Sequence, residues 1–165
     1  MDTEAIRDSF RPKVIRLLLV GESPPSGGKF FYVQSPMTSY TARAFEKAHK
    51  QDFSSQDQTK FLEYFKTCGC YLDDVCHFPI DGFDDEKRAQ TLAENVPALT
   101  SRLKDFRPEA IAIVLKKIET HVRVAIVQAE IKPKVFVLPF PGYGYQGKYI
   151  DLMEKIVKRY AGITI

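Results

Sequence analysis

The sequence lacks tryptophan, has only three cysteines in 165 residues and contains no long hydrophobic segment. No apolar run approaches the roughly 18 residues that a membrane span requires. Residues 1–12 mix acids with arginines instead of forming the apolar core of a signal peptide. All three cysteines fall between Cys68 and Cys76, and an odd number in one short segment argues against a disulfide framework. We therefore expect a cytoplasmic protein with no membrane partner.

The chain also lacks a strong charge of either sign, because its formal net charge is +3. Such a balance neither requires nor excludes a nucleic-acid partner, since a local basic groove matters more than the total charge. The length, with 44% hydrophobic residues, fits one globular domain spanning residues 1–165. We expect this domain to be a monomer.

Four short apolar segments predict β-strands at residues 14–20, 68–75, 110–115 and 134–140. Helix-like segments alternate with them, and this order indicates a three-layer α/β/α sandwich around a central four-stranded parallel sheet. In such sheets the ligand crevice lies beyond the carboxyl ends of the strands. The turns that follow the four strands are therefore the expected site.

Five segments predict helices, and the third of them carries clear boundary signals. Asp84 or Asp85 is its expected N-cap, Pro97 is expected to kink or split it, and Pro108 marks its end. The five helical segments are 39–50, 56–67, 84–106, 116–130 and 147–160.

Two glycine-rich segments resemble phosphate-binding motifs but have the wrong context. A P-loop requires four residues before its Gly-Lys pair, whereas six separate Gly21 from Gly28. Residues 142–147 read G-x-G-x-x-G, but a dinucleotide fold needs a further strand with an acid about 20 residues on, and the chain ends at Ile165. We expect this second segment to be a flexible loop that can contact a ligand.

Cys68, Cys70, Cys76 and His77 place four possible metal ligands in ten residues. Zinc sites usually have two separate knuckles with cysteines two to four residues apart, and this cluster lies partly in a predicted strand. We therefore interpret the cysteines as small buried side chains and expect neither a metal nor a cofactor.

Acidic and aromatic side chains follow two of the predicted strands. Because neighbouring side chains on a strand point to opposite faces, one of Asp73 and Asp74 should face the crevice or a helix layer and the other should face away. The alternative is that one caps the next turn and the other meets solvent. Phe30, Phe31 and Tyr32 follow a Gly-Gly turn and cannot all enter one core, so at least one ring is available to stack on a flat ligand.

Four segments carry a family resemblance: "GESPP" (21–25), "YLDDV" (71–75), "FRPEAIAIVL" (106–115) and "VFVLPFP" (135–141). Together they resemble the uracil-DNA glycosylase superfamily along nearly the whole chain. "GESPP" (21–25) is similar to the Gly-Glu-Ala-Pro-Gly motif of its iron–sulfur branch, and "YLDDV" (71–75) to a Tyr-Leu-Thr-Asn-Val pattern. "FRPEAIAIVL" (106–115) is similar to the third strand, and "VFVLPFP" (135–141) stands where the family has a strand ending in His-Pro-Ser before a DNA-contacting loop.

The resemblance implies a site with three groups of residues. Its catalytic group is Glu22, Ser23 and Asp74. Its base-binding group is Phe31, which we favour as the stacking ring, with Tyr32, Asp73 and His77. Its DNA-binding group is Lys29, Tyr143, Tyr145 and Lys148.

The departures from the family pattern concern the same site. Leu138 replaces the His that stabilises charge on the departing base, and the loss of one such donor costs roughly 10²–10³ in rate. Ser23 replaces the water-activating Asp of the best-known branch, so Glu22 would hold the water. Asp74 replaces an Asn, and because an ionised carboxylate only accepts hydrogen bonds, we expect a base edge rich in donors or a protonated Asp74. The cysteines of the iron–sulfur branch are missing, so we expect no cluster.

The leading interpretation is a DNA-base N-glycosylase that flips a damaged or non-standard base into a pocket and hydrolyses its N-glycosidic bond. Two alternatives stay open. One is a binding module of the same fold that holds nucleic acid or a nucleotide without cleaving it. The other is an unrelated α/β hydrolase that acts on a small nucleoside-like substrate.

Overall fold

The computed structural model describes residues 1–54 and 57–162, and within those ranges it contains a four-stranded sheet and six α-helices. The strands are β1 Leu17–Gly21, β2 Cys70–Asp74, β3 Ala110–Ile113 and β4 Lys134–Val137. The helices are α1 Thr3–Ser9, α2 Pro36–His49, α3 Thr59–Thr67, α4 Asp85–Phe106, α5 Glu119–Gln128 and α6 Gln146–Tyr160, with a 3₁₀ turn, Lys116–Ile118, before α5.

The sheet is parallel throughout, in the order β2-β1-β3-β4. Leu17 of β1 pairs with Cys70 of β2 on one side and with Ala110 of β3 on the other. Every residue of β1, β2 and β3 is buried, as expected for strands covered on both faces. Helix α2 packs against α6, and α4 packs against α5. The α/β fold with a central four-stranded parallel sheet is therefore confirmed, and its helices are consistent with a three-layer sandwich.

All four predicted strands are present, and their ends differ from the predicted bounds for local reasons. Strand β1 begins at Leu17, and Val14, at the predicted start, is 71% exposed. The amide of Leu138 still donates to the carbonyl of Ile113 at 2.8 Å, but Pro139 has no N–H with which to continue the ladder. Strand β4 is accordingly shorter than the predicted segment.

Helix α4 follows its predicted signals closely at both ends. The carboxylate of Asp84 accepts a hydrogen bond from the Lys87 amide at 2.8 Å, which makes Asp84 the N-cap. Arg107 closes the helix with φ 44°, and Pro108 follows that end. The helix continues through Pro97, so the predicted split does not occur, and this proline is exposed.

Three helices differ from the sequence expectation. Helix α1 was not expected, because its seven residues are mostly polar. Helix α2 begins earlier than expected, where the Ser35 hydroxyl accepts the Met37 amide at 3.1 Å. Helix α3 begins at Thr59, and Gln56, at the start of the predicted segment, lies outside the described residues. Within residues 1–54 and 57–162, none of the helices has the length and apolarity to cross a bilayer.

Candidate functional site

A cavity of about 590 Å³ opens at the carboxyl edge of the sheet, where the strand order reverses between β1 and β3. This is the position at which open parallel sheets bind ligands. Its wall includes residues from the ends of three strands and from the segment after β4. Those residues are Gly21, Glu22, Ser23, Asp74, Val114, Leu115, Phe140, Pro141 and Gly142.

Glu22 stands in this cavity and is held by Arg88 from the first turns of α4. Its side chain is 10% exposed, and its Oε1 accepts a short hydrogen bond from a terminal nitrogen of Arg88. In the described part of the chain, Oε2 of Glu22 is buried and has no hydrogen-bond partner, and the same is true of Nε of Arg88. The ion pair therefore fixes the carboxylate and leaves one buried oxygen without a partner among the described residues. Ser23 lines the cavity beside it.

Two of the three consecutive aromatic residues form part of the cavity wall. The expectation that Phe30, Phe31 and Tyr32 cannot all enter one core is wrong, because the rings pack edge to face and each side chain is only 3–4% exposed. Phe30 and Phe31 nevertheless also line the cavity. Tyr32 lies in the core outside the cavity lining. Its hydroxyl donates to the Leu72 carbonyl at 3.0 Å and accepts from the Leu72 amide at 2.7 Å, and burial raises its pKa well above the usual value. The cavity thus offers two phenyl rings, Phe31 among them, and Tyr32 supports them from behind at an edge-on angle.

Asp73 and Asp74 point in different directions, as the alternation of strand side chains predicts. Asp74 lines the cavity, and Asp73 lies outside its lining. The Asp73 carboxylate accepts from Nε of Arg102 at 2.7 Å and contacts Nε2 of His77 at 2.7 Å. Burial alone would raise the pKa of Asp73, but the His77 hydrogen bond and the Arg102 charge outweigh it and lower that pKa. Asp73 is therefore a structural anion between β2 and α4.

Arg7 brings a buried positive charge from α1 to the same two carboxylates. Its side chain is 2% exposed, and one terminal nitrogen lies 3.0 Å from Oδ2 of Asp74 while the other lies 3.9 Å from Oδ1 of Asp73. Burial raises the pKa of Asp74 to about 6, although the Arg7 charge acts in the opposite direction. Asp74 is thus mainly ionised at pH 7 and becomes protonated in mildly acidic solution.

Gly21 lets the Asp74 carboxylate lie directly against β1. A Cβ atom on Gly21 would stand 2.6 Å from Oδ1 of Asp74, closer than non-bonded atoms approach. The two residues are register partners at the ends of β1 and β2, and the next amide, that of Val75, donates to the Gly21 carbonyl at 2.9 Å. Because Gly21 of the "GESPP" segment has no side chain, it leaves room for the Asp74 carboxylate beside β1.

The other predicted site residues fall into separate places. Lys29 lines the cavity, whereas Tyr143, Tyr145 and Lys148 line a second opening beside it. His77 lies outside both linings, with Nδ1 2.6 Å from Glu4 and Nε2 on Asp73.

Leu138 and the three cysteines are buried. Leu138, which stands where the resembling family has His, is 1% exposed and contributes to the second opening but not to the cavity. The side chains of Cys68, Cys70 and Cys76 are all buried and free, and burial raises the pKa of the Cys68 thiol to about 11. This environment suits the interpretation of the cysteines as small core residues.

Arg7 and Arg88 are the main site residues that sequence reasoning missed. Arg88 had a signal, because α4 was expected to begin at Asp84 or Asp85 just after the carboxyl end of β2, which places its first turns beside the crevice. Arg7 had none, since it lies on a short polar helix far from Asp74 in the chain. No family model matches this chain, and no curated protein matches its sequence.

Proposed function

We propose that this protein is a DNA-base N-glycosylase-like protein that receives a flipped, damaged or non-standard base in the cavity and hydrolyses its N-glycosidic bond. One observation carries the proposal: Glu22, the Phe30 and Phe31 rings and Asp74 line one cavity at the carboxyl edge of the sheet. A carboxylate for water, a flat apolar wall and a polar group for the base edge are the parts that such a reaction needs.

The size and composition of the cavity support a flat aromatic ligand. Its volume of about 590 Å³ lies within the range of small-molecule sites, which are mostly apolar with a few polar groups. Stacking of a base on an aromatic side chain contributes about 1–3 kcal/mol, and this offsets part of the few kcal/mol that extraction from the helix costs. Phe30 and Phe31 supply that wall.

Glu22 is the proposed water-orienting carboxylate. In the proposed reaction, Oε2 of Glu22, which has no partner among the described residues, accepts a hydrogen bond from the attacking water. The negative charge of Glu22 also stabilises the positive charge that develops on the sugar as the bond to the base breaks. Arg88 holds Oε1 and so keeps the second oxygen in one orientation.

Asp74 is the proposed reader of the base edge. Above its pKa of about 6 its carboxylate only accepts hydrogen bonds, so the complementary base edge presents N–H donors. Below that pKa the protonated carboxyl group donates one hydrogen bond and also suits a carbonyl. We therefore propose a base with a donor-rich edge at neutral pH and broader recognition in acid.

A binding module of the same fold is the second candidate function, and three observations favour it. Leu138 is buried and apolar where the resembling family has a catalytic His, and His77 is engaged by Asp73 and Glu4 outside the cavity. Arg88 also compensates the charge of Glu22. A protein with these features can hold a base or nucleotide without breaking the bond.

The test is base release from oligonucleotides that carry uracil, hypoxanthine, xanthine or an alkylated base. We expect release of at least one base, and a loss of about 10²–10⁴-fold in the Glu22→Gln variant, which keeps the shape but removes the charge. Glu63→Gln, an exposed change on α3, is the matched control and should leave release unchanged.

Each other outcome points to a different conclusion. Binding of DNA with a steep salt dependence but without base release would support the binding module and refute the enzyme. Base release that persists unchanged in Glu22→Gln would remove Glu22 from the mechanism. If the protein does not bind DNA at all, both nucleic-acid functions fail.

A further inference from the structure

A second opening of about 740 Å³ lies directly beside the cavity and shares part of its wall. Leu115, Lys117, Phe140 and Gly142 line both spaces, so a ligand can extend from one into the other without leaving the surface. The second opening lies between the 3₁₀ turn Lys116–Ile118 and the segment 137–145. We call it the basic groove.

Three aromatic rings in the wall of the basic groove are exposed to solvent. Tyr143 is fully exposed, Tyr145 is 54% exposed and Phe140 is 46% exposed. The segment that carries them is a tight turn, in which the Gly142 amide donates to the Phe140 carbonyl at 2.8 Å and the Tyr145 amide to the Gly142 carbonyl at 3.1 Å. Such rings would be stabilised by burial, so a cluster in solvent indicates a surface that a flat partner covers.

The charge of the basic groove is positive. Lys116, Lys117 and Lys148 are exposed in its wall, and among the described residues none of the three forms a salt bridge. The wall contains one acidic residue, Glu119, and its carboxylate is paired with Arg123 at 2.8 Å. Unpaired lysines beside exposed rings match the phosphates and bases of an unpaired strand.

We propose that the basic groove binds single-stranded DNA, holding the nucleotides next to the one whose base enters the cavity. Their bases stack on Tyr143 and Tyr145, and their phosphates lie against Lys116 and Lys148. A duplex hides the faces of its bases in its own stack, so only an unpaired strand can use these rings. The choice of DNA as the bound polymer rests on the proposed function, but binding of a strand in the basic groove does not require hydrolysis of the N-glycosidic bond.

Fluorescence anisotropy with a labelled single strand of about 12 nucleotides, its duplex and the RNA of the same sequence tests this inference. We expect the single-stranded DNA to bind at least tenfold more tightly than its duplex and at least as tightly as the RNA, because stacking and phosphate contacts are open to any unpaired strand. Tyr145→Leu, which keeps apolar bulk but removes the ring, should weaken single-strand binding by about 5- to 140-fold. Phe78→Leu, at an exposed ring outside both openings, is the matched control and should change binding by less than about twofold.

The lysines are tested by the salt dependence of the same binding. Replacing both Lys116 and Lys148 with alanine should lower the slope of log K against log salt by about 0.7 for each phosphate that these lysines neutralise. Lys132→Ala, at a lysine outside the groove, should leave the slope unchanged. Lys117 is kept in these variants because it also lines the cavity.

Three results would overturn the inference: equal affinity for duplex and single strand, tighter binding of RNA, or a Tyr145→Leu variant that binds as the control does. Failure of the groove is distinguishable from failure of the proposed function. If the protein releases a base from duplex DNA but does not bind single strands, the inference about the basic groove fails and the proposed enzymatic function stands. If single strands bind through the basic groove but no base is released, the inference about the groove stands and the proposed enzymatic function fails.

Discussion

Replacing Arg7 with methionine tests whether a buried guanidinium holds the carboxylate that faces the cavity. The Arg7 side chain is 2% exposed and lies 3.0 Å from Asp74 and 3.9 Å from Asp73. Methionine is unbranched and adaptable in a core, so the substitution removes the charge while keeping most of the packing. The measured change in stability then reports on the ion pairs of Arg7 with Asp74, Asp73 and Glu4 and on its hydrogen bond to the Leu72 carbonyl.

The expected loss of unfolding free energy is about 3–5 kcal/mol at pH 8. This is the usual cost of removing one partner of a buried ion pair, because the remaining charge stays buried without compensation. At pH 8 Asp74 is ionised in the wild-type protein, since its pKa in the folded state is about 6. The variant must then either bury an unpaired carboxylate or protonate it.

The loss should decrease as the pH falls. Burial has already raised the folded pKa of Asp74 above its unfolded value, and an acid of this kind stabilises the fold at low pH and loses that contribution as the pH rises through the folded pKa. Removal of Arg7 raises the pKa of Asp74 further. The difference between variant and wild type therefore grows by about 1.4 kcal/mol for each pH unit between the two folded-state pKa values.

Urea unfolding followed by circular dichroism at pH 5 and pH 8 measures both the loss of unfolding free energy and its dependence on pH. At pH 5 Asp74 is mostly protonated in both proteins, so the variant differs mainly by the missing charge beside Asp73, whose pKa is lowered. Arg11→Met, which breaks a 3.7 Å surface pair with Asp8, is the control and should cost about 0–1 kcal/mol. A loss at Arg7 that is equal at the two pH values would refute the electrostatic coupling between Arg7 and Asp74.

Two further substitutions test local features of the fold. Gly21→Ala places a methyl group 2.6 Å from Oδ1 of Asp74, so we expect calorimetry to show a loss of about 1–3 kcal/mol in the free energy of unfolding. Gly27→Ala is the control: its methyl group meets open space, so the free energy of unfolding should change by less than about 0.5 kcal/mol. Pro97→Ala restores an N–H inside α4 at an exposed position, so we expect a gain of about 2 kcal/mol, and a lower melting temperature would contradict the helix geometry.

Strands β1, β2 and β3 could be predicted from the sequence because they are buried on both faces. Continuous apolar segments such as Leu17–Val20 and Ala110–Ile113 have few other uses in a chain of this length. Once the strands alternate with helices, the position of the crevice follows from the rule for parallel sheets. The location of Glu22 beside the cavity could therefore be predicted from the sequence. Strand alternation left open whether Asp73 or Asp74 faces the cavity, and only the family resemblance favoured Asp74.

The partners of those carboxylates could not be predicted in the same way. Arg88 lies 66 positions from Glu22, and Arg7 lies on a helix with little hydrophobic pattern. An ion pair between residues far apart in the chain produces no periodic pattern in the sequence. The residues around an arginine on a polar helix are the same whether that arginine is exposed or forms a buried ion pair. The division of the aromatic residues was equally hidden, since the turn after Gly28 gives Phe30, Phe31 and Tyr32 no regular period.

The two arginines change what the cavity's carboxylates can do. Glu22 is paired with Arg88 of α4, and Asp74 is paired with Arg7 of α1, which also lies 3.9 Å from Asp73. The negative charge of both carboxylates is therefore offset by a neighbouring guanidinium. If the proposed reaction takes place here, Glu22 orients water well but stabilises a cationic sugar less than a free carboxylate would. With Leu138 in place of a donor to the departing base, the rate then depends most on how easily that base leaves by itself.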